Sequence, residues 1–173
     1  MSVLSKEPVG HEDREALLRD CAGALCYEPK TGLFRWRKTF SNVRPAGTEA
    51  GSKQPAGYII ISINKRFYYA HRLAWLLVHG EWPERFIDHK NGVPGDNRIE
   101  NLRLATDRQN LANRRLNQNN TSGHKGVWWH RKCKKWAAEV AGKKLGLFVT
   151  KEDAAAAYAS QAKGLFGEFV RIE

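Results

Sequence analysis

Ile87-Asp88-His89-Lys90-Asn91-Gly92, followed by Glu100-Asn101-Leu102 and by Thr106-Asp107-Arg108-Gln109-Asn110, is the stretch that decides how this 173-residue chain reads. An Asp-His pair trailed by two asparagines has the side chains that phosphodiester hydrolysis needs. That reaction uses a divalent cation on the phosphate and a base to deprotonate the attacking water. Asp88 and Asn110 offer hard oxygen donors suited to Mg²⁺ or Mn²⁺, while His89, with an unperturbed pKa of about 6.5, offers the base. A short hairpin and one helix suffice to carry all of them. A surface turn with ordinary Asn caps would explain the Asp-His pair alone, but not the whole series.

The series, with Gly92 in the loop and Asp96-Asn97-Arg98 ahead of Asn101, resembles the HNH endonucleases, especially the phage homing enzymes of the ββα-metal, or His-Me finger, class. The resemblance implies an α+β fold with a strand over 86–89, a loop over 90–101, a second strand over 102–105 and a helix over about 107–115. Asp88 then corresponds to the family's metal-ligand carboxylate, His89 to its general base and Asn110 to its second ligand. Asn101 corresponds to the residue that pins the loop and so orients the histidine. One divalent ion per site is implied, with 5′-phosphate and 3′-hydroxyl products and nicking of one strand per engagement. An amide oxygen binds metal more weakly than a carboxylate, so occupancy is expected to depend on DNA phosphate. Upstream, Ala70-His71-Arg72-Leu73-Ala74-Trp75 is similar to the segment that precedes the site in these enzymes. Its Leu73, Ala74, Leu76, Leu77 spacing predicts a helix packed on the hairpin, with Arg72 near the phosphate backbone. His71 reads equally as a phosphate contact or as a structural residue.

Around this centre, 25–36 reads as strand, turn, strand, with Pro29 and Gly32 in the turn. A polar arm and a helix over 11–21 precede it. Residues 41–57 read as loop, with Lys38, Arg44 and Lys53 available for phosphates. The run from Tyr58, dense in β-branched and aromatic residues, predicts a second hairpin turning at Asn64-Lys65-Arg66.

Past a polar linker over 117–123, the segments beginning Lys125-Gly126-Val127-Trp128-Trp129, Lys135-Trp136-Ala137-Ala138 and Lys143-Lys144-Leu145-Gly146 read as three strands. A helix with the run Ala154 to Ala157 follows. These residues resemble the plant Apetala-two, or ethylene-response-factor, DNA-binding domain, a three-stranded antiparallel sheet packed on one helix. Strand alternation predicts that Val127, Trp129, Trp136, Ala138 and Val140 face the helix. Trp128, His130, Lys135, Glu139 and Lys144 then face outward. With Lys125 and Arg131, this outward set gives the expected DNA contacts: Lys125, Trp128, His130, Arg131, Lys135 and Lys144. Residues 1–50 are thus an N-terminal helix and hairpin region, 51–116 the nuclease domain and 124–173 the second DNA-binding domain.

Lys and Arg number 29 against 18 Asp and Glu, a formal charge of +11, which fits a polyanionic partner. Double-stranded DNA is the expected partner, ahead of RNA, with the protein acting as a monomer or weak dimer. No apolar run approaches the roughly 20 residues of a membrane span. Cys21, Cys26 and Cys133 form no Cys-x-x-Cys pair, which argues against a structural zinc and fits the reducing cytoplasm of a bacterial host. Cys21 and Cys26 read as small buried residues. The rival expectations are a non-catalytic DNA-binding regulator that keeps the hairpin as scaffold, and an RNA-binding protein that stacks bases on its aromatics.

Overall fold

A computed structural model describes residues 11–172, and the expected polar arm over the first ten residues lies outside them. The chain divides into two compact units, one ending at Ala105 and the other beginning at Thr106. Both mix helices with small antiparallel sheets. Among the described residues no helix is long and apolar enough to cross a membrane.

The first unit begins with helix α1 (His11–Ala24) and the hairpin of β1 (Leu25–Glu28) and β2 (Leu33–Trp36). A three-stranded sheet follows, ordered β3 (Ser52–Lys53), β4 (Ile59–Ile63), β5 (Arg66–Tyr69), and leads into helix α2 (Ala70–His79). Asn64 and Lys65 both adopt positive φ (49° and 65°), the left-handed pair that a two-residue hairpin turn requires. Leu73, Ala74 and Leu76 of α2 expose no surface, as their spacing predicts. Gly80, at φ 73°, ends the helix by returning its N–H to the Leu76 carbonyl. The last hairpin, β6 (Phe86–His89) with β7 (Leu102–Ala105), joins the same core through Ile87 and Leu102.

Two expectations change here. Residues 41–57 are not all loop, since Ser52 and Lys53 pair with Ile60 and Ile59 as an edge strand. That strand is polar and only two residues long, and its neighbour's backbone holds it rather than any burial of its own. Cys26 is exposed, because on β1 it alternates outward beside the fully buried Leu25.

The second unit holds helix α3 (Asp107–Asn113), strands β8 (Val127–His130), β9 (Lys135–Val140) and β10 (Lys143–Phe148), and helix α4 (Lys151–Phe166). β9 lies between its neighbours, and α4 packs on the sheet through Val127, Ala138, Val140, Ala154, Tyr158 and Ala162. A reciprocal capping box of Thr106 and Gln109 starts α3, which ends two residues sooner than expected because Arg114 already has extended backbone. Trp129 departs from its expected core position: it is 45% exposed, beyond the cluster under α4, and meets Trp136 edge-on at 5.3 Å. On the opposite face, Ala137 is buried between its cross-strand partners Trp128 and Leu147, both of which stay exposed. Residues 120–124 form a hydrogen-bonded turn around the buried Ser122.

Candidate active site

The β6–β7 ladder sets the site's geometry. His89 pairs with Leu102 and Asp88 with Arg103, and alternation sends adjacent side chains to opposite faces. His89 is 5% exposed and lies among aromatic rings of the same unit. His71 meets it edge-on at 5.1 Å, and Tyr58 lies 6.0 Å away. Tyr69 in turn stacks on His71 at 5.3 Å. His71 is therefore a buried wall of the site. Burial drives its pKa well below the usual value, with the charges of His89 and Arg72 adding to the shift. Burial also lowers the pKa of His89, opposed by the neighbouring Asn97 amide and the charges of Asp88 and Asp96. Both imidazoles are therefore neutral at neutral pH, the form that accepts a proton.

Asp88 is 4% exposed, and its Oδ2 accepts a hydrogen bond from Arg103 Nε at 2.9 Å. This ion pair was not anticipated, yet it follows from the ladder: once His89 faces Leu102, the next pair outward is Asp88 and Arg103.

Asn101 closes the loop between the strands. Its Oδ1 accepts from the Asn91 N–H at 3.0 Å, and its Nδ2 donates to Asn91 Oδ1 and to the Asp96 carbonyl. Gly92, at φ 63°, donates its N–H back to the His89 carbonyl. Asp96 receives Arg98 and Asn91 side chains, and the Arg98 hydrogen bonds hold its pKa down at about 2. The first hairpin's turn rests on this loop from outside. Tyr27 Oη donates to the Asn97 carbonyl at 2.7 Å, and the Ile99 N–H donates to the Pro29 carbonyl. A Cβ on Gly32 would stand 2.5 Å from the Arg98 nitrogen. Nothing in the local sequence signals this contact, which joins residues some 70 positions apart.

Among the described residues no group of three or more His, Cys, Asp or Glu is placed to hold a metal. Any metal here would draw on the Asp88 carboxylate, amide oxygen, water and phosphate, a donor set that suits a hard, hydrated ion such as Mg²⁺. Asn110 lies half-buried on α3, in the second unit.

Residues 68–112 match the family model described as HNH endonuclease. An HNH endonuclease domain occupies that segment. The match takes in Asp88, His89, Asn101 and Asn110, together with His71 and Arg103. A curated relative, Protein 3.8 of Escherichia phage T7, is 36% identical over 80 residues, covering 44% of this chain and 66% of the relative, just under two thirds of its length. No solved structure matches.

The remaining expected residues scatter. Inside the HNH segment, Arg72 turns inward: its guanidinium lies 4.6 Å over the Trp82 ring and donates to the Pro83 carbonyl at 2.7 Å. In the second unit the Lys125 ammonium donates to the Ala112 and Arg171 carbonyls. Burial, then the charges of Arg171 and Arg114, lowers its pKa to about 8. Trp128, Arg131, Lys135 and Lys144 are exposed. His130 is half-buried, and its Nδ1 accepts from the Cys133 N–H.

Proposed function

We propose that the protein is a metal-dependent HNH endonuclease that hydrolyses phosphodiester bonds in duplex DNA, of homing or nicking type, with the three-stranded sheet of its second unit binding the duplex. The observation that carries this reading is His89: a buried, neutral imidazole, fixed by His71, inside the segment that matches the HNH family.

His89 takes a proton from water, whose oxygen bonds to phosphorus as the bond to the 3′ oxygen breaks; the departing oxygen picks up a proton from solvent, leaving a 5′-phosphate and a 3′-hydroxyl. Asp88 and Asn110 are the proposed ligands of one Mg²⁺ or Mn²⁺. When bound, such an ion supplies charge neutralisation at the phosphate. Asn101 positions His89 by holding the loop that follows it closed. Trp128, Lys135 and Lys144 share the outward face of the second sheet with His130, and Arg131 lies in the adjoining turn. Cations interleaved with an exposed indole suit a nucleic-acid surface, and that surface is proposed to supply affinity. The Apetala-two reading of residues 124–173 rests on the sequence pattern. Lys125, committed to two internal carbonyls, is left out of the proposed contact set, as is Arg72.

One observation favours a second reading. The Arg103 guanidinium already neutralises the Asp88 carboxylate, as expected of a DNA-binding protein that retains the hairpin only as scaffold. A metal-supplemented plasmid-nicking assay separates the two. Scission by the parent, lost by about 10² to 10⁴ in His89→Ala with DNA binding retained, supports the nuclease. Tight binding without scission on any DNA supports the scaffold.

A further inference from the structure

We propose that a cavity in the first unit, lined by the exposed Phe40 ring with the buried Trp36 behind it and ringed by cations, binds a nucleotide, with its phosphate on the cations and its base against Phe40. The cavity measures about 470 Å³, within the range of roughly 300 to 1,000 Å³ typical of small-ligand sites. It shares no lining residue with the Asp88 and His89 site, so the inference stands apart from the nuclease reading.

Three chain segments supply the charge. Arg19 comes from α1, Lys38 and Arg44 from the loop after β2, and Lys65 from the β4–β5 turn. Asp20 is the one carboxylate in the lining, and its Oδ2 is occupied by a 2.6 Å hydrogen bond from Asn64 Nδ2. Arg19 has an acidic neighbour, Glu15, at 3.8 Å, but both side chains are 73% exposed, so that pair yields readily to a phosphate. The cavity is thus strongly positive and poorly neutralised.

Phe40 is 47% exposed, and Trp36, 6% exposed, backs it from the core. Trp36 and Phe40 meet edge-on at 5.1 Å. Arg44 lies 5.5 Å over the Trp36 ring and Lys38 5.3 Å over Phe40. A cation held over a ring keeps N–H groups for an anion. The loop bearing these cations is closed by its own hydrogen bonds: Gly47 N–H to the Trp36 carbonyl, Phe40 N–H to the Arg44 carbonyl and Ala46 N–H to Thr39 Oγ1. Little ordering is then left for the ligand to bring about. An inorganic anion would use the cations and waste the rings, and an acidic peptide would present no flat base to them. A nucleotide uses both, as stacked aromatics and cations do at single-stranded sites. A free nucleotide and a nucleotide within a strand share this chemistry.

The test is a titration of the full chain in metal-free buffer, following the Trp36 indole N–H resonance, assigned with Trp36→Phe. The probes are deoxyadenosine monophosphate, a single-stranded trinucleotide, inorganic phosphate and a Glu-rich peptide. Saturable shifts with the monophosphate are expected, with affinity at least about ten-fold weaker for phosphate alone and for Lys38→Ala/Arg44→Ala. The other five indole resonances report whether that double variant is folded. If it is not, Lys65→Ala at the exposed turn makes the same test. Tighter binding of the trinucleotide assigns the site to a strand, and equal binding assigns it to free nucleotides. No saturable shift with either nucleotide, phosphate binding as tightly as the monophosphate, or preference for the peptide would overturn the proposal. None of these readouts involves cleavage.

Discussion

Asp88 and Arg103 stand opposite each other in the β6–β7 ladder, with Nε 2.9 Å from Oδ2 and side chains only 5% and 11% exposed. Removing one partner strands a buried charge, so Arg103→Ala should cost about 3 to 5 kcal/mol, read as a shift in the urea midpoint. Asp88→Asn combined with Arg103→Leu should recover most of that loss. If the single variant unfolds at the parent's midpoint, the pair contributes nothing to the fold.

The two buried imidazoles make stability fall in acid. Their folded pKa values lie below 6.5, so between 6.5 and those lowered values the unfolded chain holds more protons than the folded one. Stability is full above pH 6.5 and is lost as pH drops, at up to about 1.4 kcal/mol per pH unit for each histidine. His71→Gln should flatten that slope just below pH 6.5 by about one histidine's share, measured by urea denaturation across a pH series. An unchanged slope would mean His71 is not buried in its neutral form.

Asn101→Ala removes the clasp from the loop over 90–101. The half-buried Asn91 N–H and Asp96 carbonyl each lose a hydrogen bond, at about 0.5 to 1.5 kcal/mol apiece. Amide exchange over residues 91–97 should accelerate more than exchange in α2, and nicking should fall with it. Uniform acceleration across the unit would show a global effect instead.

Lys135 and Lys144 are exposed on the second sheet's outward face, the surface proposed to meet DNA phosphate. Each change to Ala should weaken duplex binding across all sequences and lower the slope of log affinity against log salt by roughly one. Lys125→Ala should leave that slope unchanged, because its ammonium is held inside the unit. A reduced slope for Lys125→Ala would move it onto the DNA surface.

Gly126→Ala should disrupt the second unit. At φ 65° its added Cβ would stand 2.4 Å from both the Tyr158 ring and the Glu139 carbonyl oxygen. The expected loss exceeds about 3 kcal/mol, followed by near-ultraviolet dichroism. Gly142→Ala, at φ 84° with nothing within 4 Å, should cost only the backbone strain of about 1 to 2 kcal/mol.

The elements legible in the sequence were those whose signals are local. Gly80 marked the end of α2, and the β-branched run from Tyr58 marked the second hairpin. The resemblance to the HNH endonucleases, carried by the Asp88 to Asn110 series, implied β6, its loop and β7 at their observed bounds. Strand alternation placed Val127, Ala138 and Val140 in the core but misplaced Trp129, because alternation assigns a face and not the reach of the helix that covers it. The edge strand at Ser52 has no side-chain pattern to read, as its neighbour's backbone defines it. In the site, His89 and Asn101 stood out, whereas Tyr58, Tyr69 and Arg103 did not. Their roles arise from packing and register, and only the Arg103 pairing was within reach of counting.

The seat of the Pro29 turn on residues 97–99 bears on how this protein can be taken apart. The inherited segment starts at residue 68, but the mechanical one starts at β1. A fragment trimmed to the family boundary would carry Asp88, His89, Asn101 and Asn110 but lose Tyr58 from the rings around His89 and the brace behind the loop. A graft of this site into another protein should therefore begin no later than Leu25, or supply a substitute for that brace.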